Sequence, residues 1–202
     1  MSKTSPRRLA VLCPRSALSC SSAASLTGRS GARPSHRYDS LSIHYQFHES
    51  QGDPTKDPIA TWHQGGPGGS SIDVGLYTEM GYFQVDDEGT FVNEYAWNKV
   101  ASMLYLESPA GSGSSSGYST CIKDDKPVAC EWTDQSQAEA YAHTLAAFFQ
   151  EFPEFKENDL YFTGESYAGQ CESQPSAHAA RAGSDASCVS SLRLANTRMP
   201  RG

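Results

Sequence analysis

The decapeptide Leu160-Tyr161-Phe162-Thr163-Gly164-Glu165-Ser166-Tyr167-Ala168-Gly169 constrains this chain more than any other stretch. A short apolar strand runs directly into Gly-x-Ser-x-small. That order fits a nucleophile elbow, a sharp strand-to-helix turn that holds a serine hydroxyl out at its tip. Gly164 and Ala168 are small enough for strand and helix to approach closely around the turn. Serine and glycine are common in ordinary loops, so the motif alone is weak and its surroundings must decide.

The surroundings predict an α/β fold. Ile59–His63, Met103–Glu107 and Leu160–Thr163 are short apolar runs suited to buried strands. Leu41, Ile43, Tyr45 and Phe47 alternate with Ser42, His44, Gln46 and His48, the period of a half-buried strand. His44 and His48 fall on its polar face and are expected to be solvated rather than metal-binding. Asp134 with Gln137 forms a capping box. It opens a helix along which Ala138, Tyr141, Ala142, Leu145, Phe148, Phe149 and Phe152 recur at helical spacing until Pro153. His143 lies beside that stripe and is expected at the surface. A helix between strands 103–107 and 160–163 implies that the strands are parallel. Ser166 then sits at the carboxyl end of a parallel strand, where such sheets place their chemistry. The aromatic stretch Phe91–Trp97 is expected to pack across the sheet surface.

Only part of the chain can build such a core. All 21 aromatic residues fall within residues 38–169, with 21 acids against five Lys/Arg, a net charge of −16. Residues 1–37 carry seven Lys/Arg, no acid and no aromatic; residues 170–202 also lack aromatics. Large apolar side chains are what offset chain entropy. Residues 38–169 are therefore expected to fold, and the two flanks to be disordered or foreign to the fold. Arg7 and Arg8 before Leu9–Cys13 resemble the start of a secretory signal, but Pro14 ends the apolar run too early; a transit peptide or an arbitrary leader fits as well. The overall charge of −7 argues against non-specific nucleic-acid binding, and no apolar run is long enough to span a membrane.

Gly65-Gly66-Pro67-Gly68-Gly69 cannot be a regular element. Such a loop can turn its N–H groups toward one point, as an anion cradle or oxyanion hole, or be a plain tight turn. It lacks the Gly-Lys-Ser/Thr ending of a nucleotide-binding P-loop. Cys121 and Cys130 flank a short polar stretch, and a disulfide between them requires an oxidising compartment. No residue set has metal-ligand spacing, and no cofactor is expected.

Taken together, the motifs resemble the serine carboxypeptidase family. Trp62-His63-Gln64-Gly65-Gly66-Pro67-Gly68-Gly69-Ser70-Ser71 is similar to its Trp-x-Asn-Gly-Gly-Pro-Gly-Cys-Ser-Ser segment. Glu79 with Met80-Gly81-Tyr82-Phe83, then Asn93–Asn98 and Ser108–Gly113, follow in the family's order. Gly164–Gly169 is identical to its nucleophile motif. The resemblance implies an α/β-hydrolase fold and a serine-type carboxypeptidase acting on peptide or protein C-termini. Ser166 would be the nucleophile, and the N–H groups of Gly66 and Tyr167 the oxyanion hole. Gln64, Glu79 and Glu165 would hold the substrate's terminal carboxylate, with Trp62 packed behind them. Carboxylates that bind a carboxylate must be protonated or share protons, so activity best at acidic pH would follow. A secreted, vacuolar or lysosomal location would also follow.

The sequence departs from the family pattern at four places. Gln64 stands for Asn, Gly69 for Cys, and Ser112 with Ser114 and Ser115 for larger residues. After Gly169-Gln170 the chain continues as Cys171-Glu172-Ser173-Gln174-Pro175 and an Ala/Ser/Arg-rich tail, where a frameshift or mispredicted exon is the expected cause. His178 and Asp185 match no family motif. The catalytic Asp and His thus lack counterparts, and the expectation is an incomplete α/β-hydrolase sheet, truncated, inactive and marginally stable. The alternatives are a carboxypeptidase-like acyltransferase and a non-catalytic fragment.

Overall fold

The computed structural model describes residues 21–28, 38–113, 118–169 and 192–194. The leader residues Arg7–Arg15, the serines at 114 and 115, the stretch from Cys171 to Pro175, His178 and Asp185 lie outside the described residues. An eight-stranded mixed sheet forms the framework, with helices on both faces.

The strands are β1 (Ser21–Gly28), β2 (Ser40–His48) and β3 (Ile59–His63). A hairpin of β4 (Phe83–Asp86) and β5 (Gly89–Val92) stands apart as its own small sheet. Then come β6 (Ser102–Leu106), β7 (Thr120–Lys123), β8 (Lys126–Val128), β9 (Leu160–Gly164) and β10 (Leu192–Leu194). The sheet order is β10-β9-β3-β6-β2-β7-β8, with β1 antiparallel to β2. β6 and β9 both run parallel to β3. The two strands expected to be parallel are so, but β3 lies between them.

Alternation along the central strands divides the core. Ile59, Leu104, Leu106, Leu160 and Phe162 join Tyr45 and Phe47 on one face, under Tyr141, Leu145, Phe148 and Phe149 of α1 (Asp134–Glu151). Ala60, Trp62, Met103 and Tyr105 point to the other face. There Ile72, Leu76 and Met80 of a π-helix, Ser71–Met80, cover them. The period of two in the strands is what lets one sheet bury both sides. Cys121 and Cys130 form a disulfide across the β7–β8 hairpin.

Three local expectations are corrected. The cap of α1 is Thr133, one residue earlier than expected: its side chain accepts from the Ser136 N–H, and Ser136 reciprocates. A threonine hydroxyl reaches the third helical N–H as well as an aspartate does. His48 is 5 % exposed and packs edge-on to Tyr105 at 5.8 Å, because pairing with Met103 of β6 draws this end of β2 inside. The stretch from Phe91 does not lie on the main sheet. Of its three aromatics, Phe91 is half exposed in the hairpin and Tyr95 is 86 % exposed; Trp97 packs inward, edge-on to Trp62 at 5.5 Å. His143 is exposed on α1, as expected.

Candidate active site

Ser166 follows the last residue pair of β9 and has φ 55°, the left-handed region that an L side chain adopts only when its surroundings hold it there. The elbow is clamped from both sides. The Glu165 N–H donates to His63 O at 3.3 Å, and the Ala168 and Gly169 N–H groups close the following turn on Glu165 and Ser166. Gly65 backs directly onto it: a Cβ there would lie 2.7 Å from Glu165 O, 3.0 Å from Ser166 Cβ and 3.1 Å from Tyr167 N. The glycine loop and the elbow therefore meet backbone to backbone. Ser166 itself is exposed.

The loop after β3 is folded on itself. The Gly69 N–H donates to Gly65 O at 2.9 Å, and the Gly113 N–H donates to Gly68 O at 3.0 Å. Gly66 has φ 122°, a conformation that a side chain would strain. The loop then enters the π-helix through Ser70, whose hydroxyl accepts from the Asp73 N–H at 2.9 Å and donates to Glu107 Oε2 at 2.8 Å.

A relay of side chains joins Trp62 to two of the three candidate carboxylate-binding residues, Gln64 and Glu165. Trp62 Nε1 donates to Gln64 Oε1 at 2.9 Å, which leaves the Gln64 amide nitrogen to donate to Glu165 Oε1 at 2.8 Å. Glu79 arrives on the last turn of the π-helix. Burial raises its pKa, and the negative charge of Glu165 raises it further. Its Oε2 is buried without a hydrogen-bond partner. Two acids and an amide thus converge beside the serine, with one acid pushed toward its neutral form. Gly69 accommodates this relay: a Cβ there would lie 2.8 Å from Gln64 Cγ.

The chain matches the serine carboxypeptidase family over residues 25–181. It belongs to that family. It is similar to the mouse lysosomal protective protein, 49 % identical over 133 residues, 65 % of this chain and 26 % of that protein. It is also similar to serine carboxypeptidase 1 of Hordeum vulgare, 39 % identical over 161 residues, 71 % of this chain and 30 % of that one. The chain thus spans about a quarter to a third of the length of the curated relatives it matches. The fold is that of Kex1(delta)p, a prohormone-processing carboxypeptidase from Saccharomyces cerevisiae, with TM-score 0.68 at 23 % identity over 88 % of this chain and 38 % of that one. The α/β-hydrolase architecture of the carboxypeptidase family is therefore present here.

Sequence reasoning missed Glu107 and Gln137. Glu107 is fully buried at the end of β6, and burial raises its pKa. It holds Ser70 and the Ile72 N–H, so it ties the glycine loop to the sheet. An acid ending an apolar strand just before Ser-Pro was a signal for it. The Gln137 side chain takes no part in the cap of α1 and is buried with both ends of its amide unpaired. Among the described residues no group of His, Cys, Asp and Glu is placed to hold a metal ion, and no helix is long and apolar enough to cross a membrane.

Proposed function

We propose that this chain carries the nucleophile and the C-terminus-binding side of a serine-type carboxypeptidase. Residues 38–169, which hold every aromatic of the chain, would be the N-terminal part of that catalytic domain. In this reading Ser166 attacks the carbonyl of the last peptide bond and forms an acyl-enzyme, releasing the terminal amino acid. The N–H groups of Gly66 and Tyr167 receive the oxygen as it gains charge. Gln64, Glu79 and Glu165 take the terminal carboxylate. The observation that carries the reading is the Gln64–Glu165 hydrogen bond of 2.8 Å beside a serine at φ 55°. The disulfide supports an oxidising compartment, as in secretion, a vacuole or a lysosome.

Attack needs a base to take the serine proton. His48 and His63 are buried, His143 is exposed on α1 and His44 packs on Tyr118. We propose that none of these serves Ser166, and that without another base the serine keeps the poor reactivity of an alcohol. The test is a fluorophosphonate probe together with a blocked dipeptide at acidic pH. Little labelling and little turnover are expected from this chain alone. Rapid turnover abolished by Ser166→Ala would keep the carboxypeptidase reading and remove the inactivity. Cleavage of internal peptide bonds in preference to terminal ones would overturn the carboxypeptidase reading.

A further inference from the structure

Glu107, directly after β6, is fully buried, and its Oε1 has no hydrogen-bond partner among the described residues. A buried acid with one bare oxygen is destabilising compared with an apolar residue of similar volume, so its presence calls for work that an apolar side chain cannot do. Its other oxygen accepts from the Ser70 hydroxyl at 2.8 Å. Ser70 follows Gly69, and this end of the glycine loop bears directly on Gly66. A Cβ at Gly66 would lie 3.0 Å from the nitrogens of both Gly68 and Gly69. The Gly69 N–H in turn closes on Gly65 O at 2.9 Å. Glu107 itself is fixed in the sheet: its N–H donates to His44 O at 3.0 Å, and its carbonyl accepts from the Ser119 hydroxyl at 2.7 Å. A chain of contacts therefore runs from the sheet through Glu107 and Ser70 to Gly66.

We propose that Glu107 is a positioning residue for the oxyanion hole: by holding Ser70 it sets the glycine loop so that the Gly66 N–H faces the oxygen that gains charge when Ser166 attacks. The proposal rests on the reading of Ser166 as nucleophile, with Gly66 and Tyr167 as its oxyanion donors. Such donors help only when they are aimed in advance at the place where charge develops. Gly66, at φ 122°, has no side chain with which to fix its own peptide, so its direction must come from neighbours. The other anchors of the loop do not supply it. The Ser71 hydroxyl accepts from the Gln64 N–H at 3.1 Å and so pins the start of the loop. The Gly69–Gly65 bond closes the loop on itself, and the Gly113 N–H joins Gly68 to a second glycine-containing turn. Among the described residues, the bond from Ser70 to Glu107 is the side-chain tie between the far end of the loop and the central sheet.

The test uses the full chain and two ligands that differ at the reacting atom, N-acetyl-phenylalaninal and N-acetyl-phenylalaninol, measured by equilibrium dialysis. The aldehyde can form a hemiacetal. Ser166 Oγ bonds to the carbonyl carbon, the C=O π bond opens, and the serine proton ends on the former carbonyl oxygen, which lies in the oxyanion hole. A base changes how fast this equilibrium is reached, not where it lies. Neither ligand has a carboxylate, so Glu79 and Glu165 do not enter the comparison. The aldehyde is expected to bind about a hundredfold more tightly than the alcohol, an advantage that Ser166→Ala removes. Glu107→Leu and Ser70→Ala break the tie from opposite ends. Each is expected to cut the advantage about tenfold while leaving the affinity for the alcohol within about twofold. Ser70→Ala carries the comparison should Glu107→Leu fail to fold. The double variant should lose no more than either single one. Glu107→Gln, whose amide oxygen still accepts from Ser70, should keep the advantage within about threefold. The proposal is overturned if the alcohol weakens as much as the aldehyde, if the two single losses add, or if Glu107→Gln loses the advantage. An advantage lost in Ser166→Ala but kept in Glu107→Leu and Ser70→Ala would overturn this proposal and leave the nucleophile reading standing. No advantage in the parent chain would overturn both.

Discussion

Gln64 donates its amide N–H to Glu165 at 2.8 Å across 101 residues of sequence. The contact exists because β3 and β9 are neighbours in parallel register, His63 opposite Gly164, so the residues that follow each strand emerge side by side. Trp62 fixes which way the amide faces by donating to its oxygen. Removing the amide leaves Glu165 without this neutral donor. Gln64→Leu is expected to weaken binding of an N-blocked dipeptide by about tenfold to a hundredfold, the worth of a hydrogen bond to a charged group. Titration of the dipeptide against its C-terminal amide measures the effect, and an unchanged difference between acid and amide would remove Gln64 from the site.

Glu79 is expected to give the site a pH dependence. Its raised pKa keeps it neutral further up the pH scale than an ordinary glutamate. Affinity for a substrate carboxylate should be greatest below that pKa and fall as pH rises through it, when Glu79 ionises beside Glu165. Its contribution to stability has the same sign: burial costs less while the group is protonated, and the cost grows as pH rises through the raised pKa. Glu79→Gln should flatten the alkaline fall of binding. An unchanged pH profile in that variant would assign the dependence to another group.

Gly69 and Gln64 are expected to be coupled. A methyl group at 69 would sit 2.8 Å from Gln64 Cγ and also 2.8 Å from Gly65 O. Gly69→Ala should cost about 1–3 kcal/mol in stability, the usual penalty of overpacking. Truncating the side chain with Gln64→Ala removes Cγ and with it one of the two clashes, so the double variant should lose less than the sum of the two single changes. Urea melts of the four proteins give the coupling energy, and strict additivity would show that the two positions do not share space.

The backbone at Ser166 stores strain. Ser166→Gly should raise stability by about 1 kcal/mol, because glycine adopts φ 55° freely. Ser166→Ala keeps the strain and should show no such gain. Both lose the hydroxyl, so stability and chemistry separate in this pair; equal melting of the two variants would argue against strain at the elbow.

Acid stability is expected to be set by buried histidines. Burial lowers the pKa of His48 and of His63 from 6.5 to about 4. Each must stay neutral in the fold, so each contributes stability that is full above pH 6.5 and lost as pH falls through about 4. The loss is on the order of 3 kcal/mol per histidine. His48→Phe should remove one share of this acid sensitivity, since the ring packs against Tyr105 and its Nε2 is unpaired. Denaturant melts between pH 7 and pH 4 test it, and an undiminished acid slope would exonerate His48.

Local patterns along the chain specify its elements and the order of its motifs. Apolar runs of strand length, the helical stripe from Ala138 to Phe149 and the Gly-x-Ser-x-Ala turn are short-range patterns, and short-range sterics decide them. The proximity of Ser166 to the glycine loop followed from the family resemblance. Tertiary structure alone decided what those elements meet. Pairing with β6 buried His48, which the alternation had placed outside. The β4–β5 hairpin left the main sheet and kept Phe91 half exposed. Placement of α1 buried the Gln137 amide without a partner, and parallel pairing of β3 with β9 set Gln64 against Glu165. Side-chain partners separated by about a hundred residues depend on strand order and register, and neither quantity is written in any local window of the chain.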